Sequence, residues 1–282
     1  MALMAALALA APAGAEQAPT PPAGRMAAGD GEAVETLAEA IRLDDILDVT
    51  AREGREYAAS LEDELFPGRG GARWQQDIAR IYAPDKLRRG FLQRLEAEMK
   101  GTDTAPLITF FTSPLGARII GLEISARKAL LDDSVEAAAR EALAEMRARD
   151  DPRLALIDAF IEAGDLVEYN VAGALNANFA FYRGLRDGGA FPDPMSDEEM
   201  LADVWLQEDA IRKDTREWLQ SYLALAYRPL SDDDLAAYVD FSRTAAARRF
   251  NAALFSAFDE MFNTISYMLG RAAAERMKGA DL

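Results

Sequence analysis

Acidic side chains are the only plentiful groups in this sequence that could do acid–base chemistry. The chain of 282 residues contains 48 Asp and Glu against 31 Lys and Arg, and it contains neither Cys nor His. A zinc finger, a thiol nucleophile, a Ser-His-Asp triad and a histidine-ligated haem each require one of these two missing residue types. The sequence therefore predicts no catalytic residue, no cofactor-binding residue and no metal ligand.

Two acidic runs, at residues 197–199 and 232–234, lie directly after Ser196 and Ser231. They lack the spaced ligands and the glycine turn of a calcium loop. A serine followed three residues later by an acid is typical of a helix start, where the positive end of the helix dipole also favours carboxylates. We interpret both runs as helix starts rather than as cation sites.

The charge balance excludes one class of partner. A net charge of −17 argues against nucleic-acid binding, because that affinity depends on cations that displace counterions from the phosphates. The same repulsion disfavours an anionic membrane surface. Arg243, Arg248 and Arg249 form a local basic group, which we interpret as a solvated helix face; contact with a single acidic partner is the alternative.

The first residues resemble a targeting segment. Residues 1–15 carry no charge and end in Ala13-Gly14-Ala15, the small–x–small pattern that signal peptidase accepts, so we predict cleavage before Glu16 and a periplasmic location. No Lys or Arg precedes the apolar run, which is unusual for a signal peptide, and a frayed start of a cytosolic protein is the alternative. The run is too interrupted for an integral membrane segment, which needs about 20 apolar residues. Residues 16–31 are rich in Pro, Ala and Gly and predict a mobile linker.

The rest of the chain has the composition of helices. From Glu32 onwards Ala, Leu and Glu are common, and alternating runs of Val, Ile and Thr are missing. Glycine and proline breaks divide this part into roughly ten segments. We predict an all-α fold, a multi-helix bundle with no significant β-sheet.

Two apolar stripes at helical spacing are candidate binding faces. The broader one comprises Phe250, Leu254, Phe258, Met261, Ile265 and Met268, and it is widened by Phe255, Phe262 and Leu269. The other comprises Leu115, Ile119, Leu122, Ala126 and Leu130. A face as broad as the first must be covered by several helices, by a second subunit or by an apolar ligand. The aromatic group Tyr169, Phe179 and Tyr182 poses the same question of whether its rings are hidden or line a groove.

The chain also matches itself at two offsets. A shift of 120 residues places Asp45 to Thr50 over Asp165 to Asn170 with similar chemical character, and a shift of 130 places Phe111 over Phe241. We therefore predict two tandem related helical units, residues 32–150 and 151–282. A single irregular bundle is the alternative.

One motif links these units to a known family. The run Phe-Phe-Thr-Ser-Pro-Leu-Gly at residues 110–116, and the run Leu-Ser-Asp-Asp-Asp-Leu at 230–235 followed by Phe241, resemble the domain of unknown function (DUF) family 2059. In that family an acidic helix start precedes a Phe-Tyr-x-Ser-Pro-x-Gly break. The first copy lacks the acidic start and the second lacks the Ser-Pro break. The resemblance implies an all-helical, signal-peptide-bearing envelope protein of Gram-negative bacteria, and it implies no activity or site residues.

Three functions fit these features. The leading hypothesis is a non-catalytic periplasmic protein that binds a protein partner or an apolar ligand, with homo-oligomerisation as another way to cover the broad face. The alternative is a hydrolase that uses two carboxylates to cleave cell-wall glycan. A mechanical or chaperone-like spacer, kept in solution by its negative charge, is the third hypothesis.

Overall fold

A computed structural model describes residues 28–278 except 192 and 194, with side chains from residue 31 onwards. This part of the chain folds into thirteen helices and contains no strand, so the predicted all-α fold is confirmed for it. The helices are α1 (Ala28–Ala40), α2 (Leu43–Leu65), α3 (Gly71–Ile81), α4 (Pro84–Met99), α5 (Ala105–Thr112), α6 (Pro114–Ala129), α7 (Asp133–Ala148), α8 (Arg153–Ala163), α9 (Leu166–Gly188), α10 (Asp197–Trp205), α11 (Glu208–Tyr227), α12 (Asp232–Ser242) and α13 (Ala245–Met277).

The start of α1 differs from the expected start of folding. The predicted signal peptide, residues 1–15, lies outside the described residues, as does the first part of the predicted linker. Its last four residues, 28–31, belong to α1 instead. The two glycines there lie in the first turn, where backbone N–H groups have no partner within the helix, so weak helix formers cost less than they would further along.

Serine caps begin several helices, as the acidic runs indicated. At α10 the Glu199 N–H donates to Ser196 Oγ over 3.2 Å, and the Ser196 N–H donates to Glu199 Oε2 over 2.8 Å. At α12 the Asp234 N–H donates to Ser231 Oγ over 3.1 Å. The Asp234 carboxylate does not return to the cap, because it lies 3.6 Å from Arg118 instead. Both acidic runs are therefore helix starts.

Helix α13 is the centre of the bundle. It packs against α9 and α4, with α2, α3, α5 and α12 also in contact. Phe250, Phe258 and Ile265 are at most 2% exposed. The broad apolar face of the last helix is therefore covered by other helices of the same chain.

The contact between α9 and α13 relies on two glycines that have no side chain. A Cβ on Gly184 of α9 would lie 2.2 Å from the Tyr267 carbonyl oxygen, and a Cβ on Gly270 of α13 would lie 2.1 Å from the Phe181 carbonyl oxygen. Real side chains do not approach backbone atoms this closely. The backbones of α9 and α13 are therefore in direct contact at these glycines.

Six helices, α1–α6, precede α7, and six helices, α8–α13, follow it. Helices α2 and α9 each have 23 residues and each follow a residue in the left-handed region, Arg42 with φ 57° and Asp165 with φ 50°. At the starts of α6 and α13, Ser113 and Thr244 accept a hydrogen bond from the N–H three residues later, over 3.1 and 3.2 Å. The first residues of α2 and α9 lie 123 residues apart, and the caps Ser113 and Thr244 lie 131 residues apart, whereas the offsets read from the sequence are 120 and 130.

Helices that precede α7 pack on helices that follow it. Helix α4 packs on α13, and α11 packs on α6. Arg118 of α6 donates to the Pro229 carbonyl oxygen over 2.5 Å, and Arg249 of α13 donates to the Glu98 carbonyl oxygen. Donors and acceptors are both 131 residues apart. One continuous core therefore contains buried residues from both halves.

Candidate functional site

A cavity of about 470 Å³ lies between α2, α6, α7, α9, α11 and α13. This volume falls within the range of ligand pockets, about 300–1,000 Å³. Its lining comprises Glu53, Glu56, Arg127, Leu130, Leu131, Asp133, Glu136, Arg140, Asn170, Gly173, Ala174, Ala177, Ile211, Asp214, Thr215, Glu217, Trp218 and Phe262. We refer to it as the cavity.

Helical periodicity explains which side chains reach the cavity. Helix α11 contributes Ile211, Asp214, Thr215 and Trp218, which follow the i, i+3, i+4, i+7 spacing of one helix face. Helix α9 contributes Gly173, Ala174 and Ala177 at similar spacing. Because these α9 residues are small, they leave open volume opposite α11.

The floor of the cavity is apolar and partly aromatic. Trp218 and Phe262 line it together with Ile211, Leu130 and Leu131. Trp218 stacks on Tyr222, with ring centroids 5.0 Å apart and 17° between the planes. This stack restrains the indole, so the aromatic part of the floor is formed before any ligand arrives.

Four carboxylates surround the floor, and we name Glu56, Asp133, Asp214 and Glu217 the acidic rim. They come from α2, α7 and α11. Within the described part of the chain, no Lys or Arg nitrogen lies within salt-bridge distance of any of them. The rim therefore presents uncompensated negative charge.

Arg127 forms the wall of the cavity towards the core. Its side chain is 5% exposed, and it donates to Glu53 in a bidentate pair, Nε to Oε1 over 2.8 Å and Nη2 to Oε2 over 2.6 Å. Burial opposes the charge of Arg127, but the attraction of Glu53 raises its pKa above the ordinary value. The wall is thus a charged arginine whose charge is already matched by Glu53.

A buried carboxyl lies one helical turn before Arg127. Glu123 is 2% exposed, and its Oε1 accepts hydrogen bonds from the hydroxyls of Tyr227, over 2.7 Å, and Tyr238, over 3.2 Å. The Tyr222 hydroxyl donates to the Glu123 carbonyl oxygen over 3.1 Å. Burial raises the pKa of Glu123, although the hydrogen bond from Tyr227 opposes this shift.

The buried face of α6 differs from the stripe that the sequence predicted. Ile119 and Ala126 are buried as expected, whereas Leu115, Leu122 and Leu130 are only half-buried. Glu123 and Arg127 are buried in their place. Tyr227 and Tyr238 donate to Oε1 of Glu123 and Glu53 pairs with Arg127, and nothing in the local spacing of α6 indicates such distant partners.

The other predicted aromatic residues do not line the cavity. Tyr169, Phe179 and Tyr182 are half-buried, and Tyr169 stacks on Phe255 with centroids 4.7 Å apart. Of the two predicted stripes, only Phe262 and Leu130 line the cavity. Sequence reasoning missed Asp214, Thr215 and Trp218; their shared helix face was a visible signal, but their mixed chemistry does not form an apolar stripe.

The predicted basic group is divided among acidic neighbours. Arg243 lies 3.4 Å from Asp240, and Arg249 lies 3.7 Å from Glu98. Arg243 and Arg248 share an open depression with Glu162 and Asp165. Acids therefore accompany these arginines, and this arrangement favours no anionic partner.

The described residues contain neither a group of acids that could hold a metal ion nor a single helix that could cross a membrane. Between residues 28 and 278, leaving out 192 and 194, no three or more acids are grouped so that they could hold a metal ion. In the same part of the chain, no single helix is long and apolar enough to cross a membrane; α5 and α6, bent by 74°, reach that length and composition only as a pair.

No family model, curated protein or solved structure matches the chain.

Proposed function

We propose that this protein is a non-catalytic binding protein of the bacterial periplasm and that it holds a small ligand with an apolar body in the cavity. The observation that carries the proposal is the volume of about 470 Å³ above a floor of Trp218, Phe262 and Ile211. A concave site of this volume with aromatic side chains is typical of small-molecule pockets, and the polar and charged residues around the floor can orient a ligand. From the broad face of α13, Phe262 contributes to this floor, whereas α9 and α4 cover most of the rest of that face.

The proposed location rests on residues 1–15 alone. Their apolar, uncharged run and the Ala13-Gly14-Ala15 end support export. Expression of the full chain in a Gram-negative host, followed by cell fractionation and N-terminal sequencing, tests this part. We expect a periplasmic protein that begins at Glu16, and an uncleaved cytosolic protein would contradict it.

The tandem repeat is part of the proposal. The matched order of the helices, the serine and threonine caps, and the reciprocal contacts of Arg118 and Arg249 support two related units that pack by exchange of α6 and α13. In such an arrangement neither unit completes its packing alone. The resemblance to family 2059 stays a prediction.

A binding role is supported over the hydrolase alternative by the partners of the buried carboxyls. Glycoside cleavage needs two carboxyl groups that face each other across a cleft, about 5–9 Å apart. Glu123 is bonded to tyrosine hydroxyls in the core. Asp259, the other carboxyl whose pKa burial raises, accepts from Asn176 and Asn263. Release of soluble fragments from purified cell-wall glycan by this protein would instead support the hydrolase.

Binding is tested with a neutral apolar fluorophore, N-phenyl-1-naphthylamine. We expect saturable fluorescence enhancement with the native protein. Ala174→Phe fills the cavity from α9 and should abolish the enhancement, whereas Ala172→Phe places the same ring on an exposed position of the same helix and should not. Equal binding by all three proteins, or none by the native protein, would refute the proposed site.

A further inference from the structure

We propose that the ligand is an organic cation with an apolar body, bound with its positive charge at the acidic rim and its apolar part on Trp218 and Phe262. This inference rests on the proposed function and adds the charge of the ligand to it. It follows from the distribution of charge around the cavity, from the aromatic floor and from the pairing of Arg127 with Glu53.

The rim concentrates negative charge at the mouth of the cavity. Glu56, Asp133, Asp214 and Glu217 reach it from three helices, and none of them has a Lys or Arg partner among the residues that the structure describes. Carboxylates around a concave, partly apolar site focus their field into it and attract cations. An anionic ligand would meet repulsion from all four.

The floor offers a second interaction for a cation. Trp218 lines the cavity beside Asp214 and Glu217 on the same helix. The face of an indole ring attracts ammonium and guanidinium groups, and tryptophan does so best among the aromatic side chains. An organic cation can therefore use the ring and the carboxylates at once, which a neutral ligand cannot.

Arg127 is the feature that would otherwise favour an anion. Both donor atoms that it directs at Glu53 are engaged, at 2.8 and 2.6 Å. Among the described lining residues the other cation is Arg140, which lies 2.7 Å from Glu136. The two arginines of the lining are thus balanced by two acids, and the rim charge remains.

Three probes with one apolar body separate charge from apolar binding. We expect isothermal titration calorimetry at low salt to give octyltrimethylammonium at least about tenfold tighter binding than 1-octanol, and no binding of octyl sulfate. The advantage of the cation should shrink in about 0.5 M salt, because added ions screen exposed carboxylates.

Variants assign the effect to the rim and to the ring. Asp214→Asn with Glu217→Gln should weaken binding of the cation by about tenfold and leave octanol binding unchanged. Asp209→Asn with Asp233→Asn removes the same charge from exposed positions outside the cavity and should change neither. Trp218→Leu keeps an apolar side chain and should weaken binding of the cation more than binding of octanol.

The outcomes separate this inference from the proposed function. Equal affinity for octanol and the ammonium probe, or equal effects of the two double variants, would overturn the cation inference and leave an apolar binding site in place. Tighter binding of octyl sulfate would overturn it with the opposite charge preference. Failure of all three probes to bind would refute both.

Discussion

Phe110 and Phe241 lie face to face, with ring centroids 3.6 Å apart and 6° between the ring planes. Each ring precedes the cap of the following long helix by three residues, Ser113 for α6 and Thr244 for α13. The hydroxyls of these caps also donate to the carbonyl oxygens of Phe110 and Phe241, over 2.6 and 2.8 Å. The corners that begin α6 and α13 therefore meet through the ring that lies three residues before each cap.

This ring stack predicts an energetic coupling between the two halves. We expect Phe110→Ala and Phe241→Ala each to destabilise the fold, and the double variant to lose less than their sum by about 0.5–1.5 kcal/mol. Urea unfolding of the native protein, the two single variants and the double variant measures this coupling energy. Phe110→Ala combined with Trp205→Ala, an exposed residue, should be additive. Additive losses for the Phe110 and Phe241 pair would contradict the coupling.

The contact of α9 with α13 predicts opposite effects of the same substitution at different glycines. Gly184→Ala and Gly270→Ala force a methyl group into a backbone carbonyl, and we expect a loss of about 2–4 kcal/mol in the free energy of unfolding. Gly90→Ala, exposed in α4 with open space around its Cα, should stabilise by about 0.5–1 kcal/mol. Thermal melts of the three variants test this, and a stable Gly184→Ala protein would contradict the close approach.

Removal of the Glu53 charge at the wall of the cavity is expected to destabilise the fold. Glu53→Gln leaves Arg127 buried without its ionised partner, and we expect a loss of roughly 2–3 kcal/mol. Glu136→Gln breaks the more exposed pair with Arg140 and should change stability by no more than about 0.5 kcal/mol. Equal midpoints in urea for these two variants would show that the Arg127 pair contributes nothing.

Asp259 predicts a pH dependence of stability. Burial raises the pKa of this carboxyl above the model-compound value of 3.8, although Asn176 and Asn263 donate to it over 3.1 Å each. The folded state therefore holds the proton more tightly than the unfolded state. This contribution favours folding below about pH 4 and is lost as pH rises through the raised pKa.

Asp259→Asn should remove the loss of stability that accompanies ionisation of this carboxyl, because an amide does not ionise. The Asn263 oxygen is buried without a hydrogen-bond partner among the described residues, so it can accept from the new amide. We expect the variant to match the native protein near pH 3 and to exceed its stability increasingly as the pH rises towards neutrality, then by a constant amount. Parallel urea denaturation curves at each pH measure the difference, and a pH-independent difference would contradict it.

Local sequence determined most of the helices of this protein. Ser196 and Glu199 form their cap from atoms three residues apart, and Pro114 begins α6 directly after its cap at Ser113. Such signals act within one turn and need no tertiary partner, which is why the all-α fold was predictable. The breaks at Arg42, residues 130–132, Leu206 and residues 243–244 were missed because none of them contains Gly or Pro. At Arg42 the packing of α1 on α2 holds a left-handed backbone that local preference disfavours.

Tertiary structure alone decided where the site lies. Glu123 finds Tyr227 and Tyr238 at separations of 104 and 115 residues, and Arg127 finds Glu53 at 74. A helix pattern would place such charged side chains in solvent, and only these distant partners make their burial favourable. The cavity likewise exists because small residues of α9 face Trp218 of α11, which no single helix specifies. Composition and capping therefore determined the helices, whereas the packing between them determined which residues line the cavity.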